Sequence, residues 1–103
     1  MSDNTQLEYL TKQWFIDRHI IPNSNSASQA VKTLEEVSEL FDAINKNNTE
    51  DIKDAIGDII VTLVGVAELS GTNLNECWDH AYNQIKDRKG FLDQFGIFHK
   101  ETK

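Results

Sequence analysis

The sequence predicts an all-α fold of four to five helices, on three observations. Apolar residues recur at helical spacing along four long stretches. Pro22, Gly71 and Gly90 fall at the ends of those stretches, where proline and glycine stop helices. Hydrophobic residues make up 39% of the chain, with one proline and five glycines, which suits a globular helical protein and is too apolar for disorder. The length of 103 residues fits a single domain over residues 1–103 with one modest core.

The first helix spans 3–19. Leu7, Leu10, Trp14 and Phe15 recur at helical spacing, and Ser2 or Asp3 is the expected cap. It ends before Pro22, because the residue preceding a proline is pushed out of the helical region. Residues 22–28 read as a polar loop without core residues, from which Ser26 or Ser28 caps the next helix.

That second helix covers 28–46 and has two distinct stripes. At about 100° per residue, Ala30, Leu34, Val37, Phe41 and Ile44 fall in one arc of about 80°, the expected core face. Gln29, Lys32, Glu36, Glu39 and Ala43 form a separate strip around Glu36, with Glu35 at its edge.

The third helix, 50–70, is apolar nearly all round, through Ile52, Ile56, Ile59, Ile60, Leu63, Val64 and Leu69, and is therefore expected to be central. Its narrow polar strip is Asp51, Asp54, Asp58, Thr62 and Gly65. Asn73 and Glu76 then resemble a capping box for a fourth helix over 73–89. Leu74, Cys77, Trp78, Ala81, Tyr82 and Ile85 supply its apolar face, which makes Cys77 an inert packing residue. Asn83 and Lys86 share one flank. The tail, 91–103, carries three phenylalanines, which argues against disorder.

Composition excludes several functions. With 17 acidic and 10 basic residues the formal charge is −7, so non-specific binding to nucleic acid or to an anionic membrane lacks its basic footprint. A nucleotide substrate stays open, since bound metal reverses the local field. One cysteine leaves no intrachain disulfide and no cysteine-based zinc cluster. The start does not resemble a signal peptide, and the longest apolar run, 59–67, is too short to span a bilayer; a soluble, cytoplasmic protein is expected. His19, His80 and His99 lack metal-ligand spacing, and no glycine-rich phosphate loop or serine nucleophile motif is present.

What stands out is carboxylate placement. Glu36 and Glu39 on the second helix, and Asp54 and Asp58 on the third, are each spaced to share a helix face. A solvated acidic face accounts for Glu35, Glu36 and Glu39 alone. It does not account for aspartates on the most apolar helix of the chain. Carboxylates gathered against a core need a cation, and an oxygen-only set suits Mg²⁺ or Mn²⁺ rather than zinc.

The order Trp14, then Gln29-x-x-Lys32-x-x-Glu35-Glu36-x-x-Glu39, then Asp54-Ala55-Ile56-Gly57-Asp58, then Asn83-x-x-Lys86-x-Arg88-Lys89-Gly90 resembles the MazG-like nucleoside triphosphate pyrophosphohydrolases, in the short single-domain form found in phages. The resemblance runs from about residue 7 to residue 100. It implies an all-α fold completed by assembly into homodimers or homotetramers, in the host cytoplasm if phage-encoded. It also implies Mg²⁺-dependent cleavage of a nucleoside or deoxynucleoside triphosphate to the monophosphate and pyrophosphate. Carried over, Glu36, Glu39, Asp54 and Asp58 are metal ligands, and Glu35 is an accessory ligand or positions the attacking water, which makes Glu35 and Glu36 the catalytic pair. Gln29, Lys32, Asn83, Lys86 and Arg88 bind substrate, and Trp14 lies near the base. The sequence departs from the family at Ala55, which occupies the place of the second acidic helix's glutamate. The alternatives are a phosphoribosyl-ATP pyrophosphohydrolase-like enzyme and a non-catalytic helical module that binds nucleotide or a partner.

Overall fold

Two tight helix ends set the architecture. In the computed structural model, which describes residues 4–101, the chain runs α1 (Asn4–Asp17), α2 (Ile20–Asn23), α3 (Ser26–Asn45), α4 (Thr49–Leu69), α5 (Leu74–Ile85), β1 (Gly90–Leu92) and β2 (Phe98–Lys100). α3 stops where Asn47 turns left-handed at φ 53. The N–H groups of Asn47 and Asn48 then close back on the carbonyls of Ile44 and Ala43 at 3.0 and 3.2 Å. The Asn48 side chain at once caps α4, accepting from the Asp51 N–H at 3.1 Å. One short turn thus folds α3 and α4 into an antiparallel hairpin, the largest contact in the molecule.

α4 ends the same way. Gly71 sits at φ 84, and the Gly71 and Thr72 N–H groups bond the carbonyls of Glu68 and Ala67. Asn73 then caps α5, with Glu76 three residues on, as the capping-box pattern predicts. Glu8 of α1 accepts hydrogen bonds from the Asn75 backbone and side-chain amides, placing a carboxylate at the positive end of α5.

The core lies between α1, α3 and α4: Phe15, Ala43, Ala55, Val64 and Ala67. Ala43 and Ala55 let α3 and α4 approach closely. Phe15 lies against Gly65, where an added Cβ would stand 2.8 Å from its ring. No single helix among the described residues is long and apolar enough to cross a membrane.

Several expectations change. The expected cap at Ser2 or Asp3 lies outside the described residues. The second long helix begins at Ser26 under Asn25, whose side chain accepts from the Ser28 N–H at 2.8 Å, so neither serine is the cap. α2, a single turn that overlaps the start of the expected polar loop 22–28, half-buries Ile20 and Ile21 just before it; Ile21, before Pro22, is extended at φ −101, ψ 124. α5 stops at Ile85 rather than 89, because the charged run 86–89 adds no apolar side chain to hold another turn.

The expected core face of α3 points outward, with Leu34 70% and Phe41 63% exposed. α3 instead turns its Glu36–Ala43 strip to α4. Cys77 is likewise exposed, since α5 buries no residue in a single chain.

The tail is an antiparallel β-hairpin pairing Gly90 with Lys100 and Leu92 with Phe98. Asp93 organises its turn: Oδ1 accepts from the Phe95 and Ile97 N–H groups, and Oδ2 lies 2.7 Å from His99 Nε2. These bonds, that of Ile97 foremost, hold the Asp93 carboxyl below its usual range. Phe91 stacks on His99 with centroids 5.4 Å apart.

Candidate metal centre

The α3–α4 hairpin brings the two acidic strips face to face. Ligand-capable oxygens of Glu36, Glu39 and Asp58 lie within 4.8 Å of one another. Glu36 is the innermost, only 8% exposed, while Glu39 and Asp58 stand at the surface. Beneath them Thr33 of α3 donates to Thr62 of α4 at 2.8 Å, and Thr62 donates to the Ile59 carbonyl. That hydroxyl pair ties the helices directly under the carboxylates.

Glu36 has two unlike oxygens. Oε1 lies 3.8 Å from the Lys32 ammonium. Oε2 is buried and has no hydrogen-bond partner. A buried carboxylate oxygen without a donor is costly unless a proton or a cation meets it. Burial pushes the Glu36 carboxyl above its usual range, Glu39 and then Asp58 push it further, and Lys32 pulls the other way. The orphaned oxygen, the clustered like charges and the all-oxygen donor set together fit a hard divalent cation.

Lys32 is engaged twice, 2.9 Å from Glu35 and 3.8 Å from Glu36. The hydrogen bond and charge of Glu35 hold its ammonium above the usual range, with smaller contributions from Glu36 and Glu39.

Two clefts flank the cluster. One, of about 510 Å³, runs from Glu35, Glu36 and Asp58 past Lys32 and Gln29 to Trp14. Gln29 is oriented there by a 3.1 Å bond to the Ser24 hydroxyl. Trp14 meets the buried Phe15 edge-on, with ring centroids 5.2 Å apart at 86°. The Arg18 guanidinium lies over the Trp14 ring, 4.3 Å from its centroid. The other cleft, of about 260 Å³, is walled by Glu39, Asp42, Asp51, Asp54 and Asp58 over Ala43 and Ala55.

Asp54 lines this second cleft and stands outside the group of three mutually close carboxylates. Ala55 is buried on the α3–α4 contact. Asn83 and Arg88 line a separate groove with Lys89 and Lys100, while Lys86 forms the C-terminal cap of α5. Among the described residues, neither cleft beside the carboxylates has a wall from α5. Two features escaped the sequence reading. Arg18 was marked only by its four-residue spacing from Trp14, which on a helix puts a cation over a ring. Thr33 carried no signal, since a threonine is informative only once its partner is known.

Comparison with known proteins gives the following. A family model described as the MazG nucleotide pyrophosphohydrolase domain matches residues 25–90, which takes in α3, α4 and α5. An uncharacterized 18.2 kDa protein in the rep-hol intergenic region of Haemophilus phage HP1 is 38% identical over 68 residues, 66% of this chain and 42% of that protein. Uncharacterized protein L479 of Acanthamoeba polyphaga mimivirus is 49% identical over 41 residues, 40% of this chain and 16% of its own length. The chain thus spans less than half of either relative. No solved structure matches it.

Proposed function

Since the chain belongs to the MazG nucleotide pyrophosphohydrolase domain family, we propose that it hydrolyses nucleoside or deoxynucleoside triphosphates to the monophosphate and pyrophosphate, with Mg²⁺ as cofactor. The observation that carries this reading is the buried Glu36, whose Oε2 has no partner and whose carboxylate gathers with those of Glu39 and Asp58 within 4.8 Å, beside a cleft that ends at Trp14. Enzymes of this family are generally dependent on a divalent metal, and Mn²⁺ is the natural substitute. Glu36, Glu39 and Asp58 would hold the ion, with Asp54 available from the adjoining wall. When bound, it neutralises phosphate charge and polarises the phosphoryl oxygens.

The remaining work falls to side chains of the chain. Lys32 and Glu35 both line the cleft, 2.9 Å apart, and an incoming phosphate competes with Glu35 for the Lys32 ammonium. Glu35, so released, accepts a proton from the water that attacks the α–β phosphoanhydride; the bridging P–O bond breaks and pyrophosphate leaves. Glu36 supports that chemistry from the buried side of the cluster, and Gln29 donates to substrate oxygens. Trp14 offers a stacking face for the base.

The outward apolar stripe of α3 supports a homodimer or homotetramer. Val31, exposed one turn before Leu34, also lines the larger cleft, so a second copy seated on the stripe borders the site. Asn83, Lys86 and Arg88 are assigned to the phosphates in that assembly.

The test is pyrophosphate release from the eight common triphosphates with Mg²⁺. We expect turnover, with monophosphate as co-product, and a loss of at least about 100-fold in Glu39→Ala and Asp58→Ala, given the size of charge-stabilising effects at such sites. Absence of turnover on all eight favours the second reading, a nucleotide-binding module without catalysis, which Ala55 in the place of a family glutamate recommends.

A further inference from the structure

The C-terminal hairpin is a preformed arm with no cover from its own helices. Asp93 fixes its turn through the Phe95 and Ile97 amides and ties in the second strand through His99. Among the described residues no helix packs against either strand. A two-stranded hairpin is marginal in water by itself. This one nevertheless leaves Leu92 68% and Phe95 77% exposed, with Phe91, Ile97 and Phe98 at least half exposed. Strand pairing sets Leu92 opposite Phe98, so the two share one face of the arm.

Charge points to the partner. Residues 86–101 carry four lysines and arginines against three acidic residues, whereas residues 26–69, which hold α3 and α4, carry nine acidic residues against three lysines. Arg88, Lys89 and Lys100 gather in one groove at the root of the arm. The α3 stripe of Val31, Leu34, Phe41 and Ile44 is likewise uncovered. Glu35 and Asp42, which follow Leu34 and Phe41 in sequence, line the two clefts beside it. An apolar arm with a cationic root thus matches an apolar stripe with an acidic border, and one chain carries both. We propose that the hairpin of one copy docks on the α3 stripe of a second copy. Leu92, Phe95 and Phe98 meet Leu34 and Phe41, and the cations at the root face the acidic border. The inference rests on the assembly reading of the α3 stripe given above and is independent of the catalytic one.

Single-cysteine chains test it, because each can form a disulfide only with another chain. The background is Cys77→Ser, which removes the exposed native thiol. Leu92→Cys and Phe95→Cys mark the arm, and Leu34→Cys and Phe41→Cys mark the stripe. Tyr82→Cys on α5 is the rival target, and Tyr9→Cys on α1 gives the rate of chance encounter. All six side chains are exposed, and circular dichroism checks each fold. Arm and target variants, one of them carrying a size tag, are mixed under reducing conditions at micromolar concentration so that subunits exchange. They are then oxidised and separated by non-reducing electrophoresis. We expect arm–stripe heterodimers to form at least about tenfold faster than arm–Tyr9 ones, since a docked arm holds its thiol at millimolar effective concentration. Lys89→Glu combined with Lys100→Glu in the arm variant slows that pairing several-fold. Arm–stripe pairing at the chance rate, or outrun by arm–Tyr82 or arm–arm products, overturns the docking. An oligomeric mass in sedimentation equilibrium then leaves the assembly reading standing, whereas a single-chain mass for the unmutated protein overturns the two together.

Discussion

Glu36 carries its charge where burial and two like charges both oppose it. Its folded pKa is therefore raised, so between the ordinary carboxylate range and that raised value the folded state binds more protons than the unfolded one. The sign follows: metal-free stability falls as pH rises through that window, opposite to a salt-bridged carboxylate. Mg²⁺ needs the same oxygens deprotonated, so its affinity falls as pH is lowered through the window. Glu36→Gln separates the two effects. It should raise metal-free stability by roughly 0.5 kcal/mol or more, the scale of a relieved like-charge pair on a helix, and abolish the stabilisation that added Mg²⁺ gives. Thermal melts across pH, with and without Mg²⁺, check both; a less stable metal-free variant would sink the account. Glu36, Glu39 and Asp58 were legible in the sequence because helical spacing alone predicts which carboxylates stack. Asp54 was not resolved as neatly. It shares a face with Asp58 but stands a turn earlier on α4, about 6 Å along the axis, and so lines the second cleft without joining the cluster.

At the scale of elements, α4 carries two glycines with opposite expectations. A Cβ at Gly57 meets nothing within 4 Å, so Gly57→Ala should stabilise by about 0.5–1 kcal/mol through helix propensity. At Gly65 the same Cβ would stand 2.8 Å from the Phe15 ring, and overpacking costs roughly 1–3 kcal/mol, which exceeds the propensity gain. Gly65→Ala should thus lower stability and shift Trp14 fluorescence, because Phe15 holds that indole. Denaturant midpoints measure both. The α3–α4 turn gives a third expectation. Asn47 at φ 53 is left-handed, so Asn47→Ala should cost about 1 kcal/mol and Asn47→Gly little. The long helices were readable from periodicity, and the α5 capping box from its residue types. α2 and the β-hairpin were not, since a four-residue helix and three-residue strands are too short to display a period. The hairpin depends instead on Asp93 bonding the Phe95 and Ile97 amides, a contact that no local pattern marks.

The molecule as a whole is short of core. Among the described residues five apolar side chains are buried, three of them alanine, while Leu34, Phe41, Val31 and Ile44 on α3 and Ile56 and Ile60 on α4 stand exposed. The radius of gyration is 16.0 Å, against about 13 Å for a compact domain of 100 residues. This is also where the sequence misled: a periodic pattern states that a helix has an apolar face, not whether its own chain covers that face. The face expected to be the core of α3 is free, and the strip bearing Glu36 is the one turned inward. Burying a leucine or phenylalanine is worth about 1.5–3 kcal/mol, so leaving several in water is a large debt for one small chain. A second copy on the α3 stripe, as proposed above, would remove it. Leu34→Asp and Phe41→Asp should each lower the mass seen in sedimentation equilibrium to that of a single chain. They should also remove the dependence of the melting temperature on protein concentration that an oligomer shows. Neither side chain lines a cleft beside the carboxylates. Turnover lost along with assembly would therefore show that the site needs its neighbour, and an unchanged mass in both variants would remove the α3 stripe as the contact.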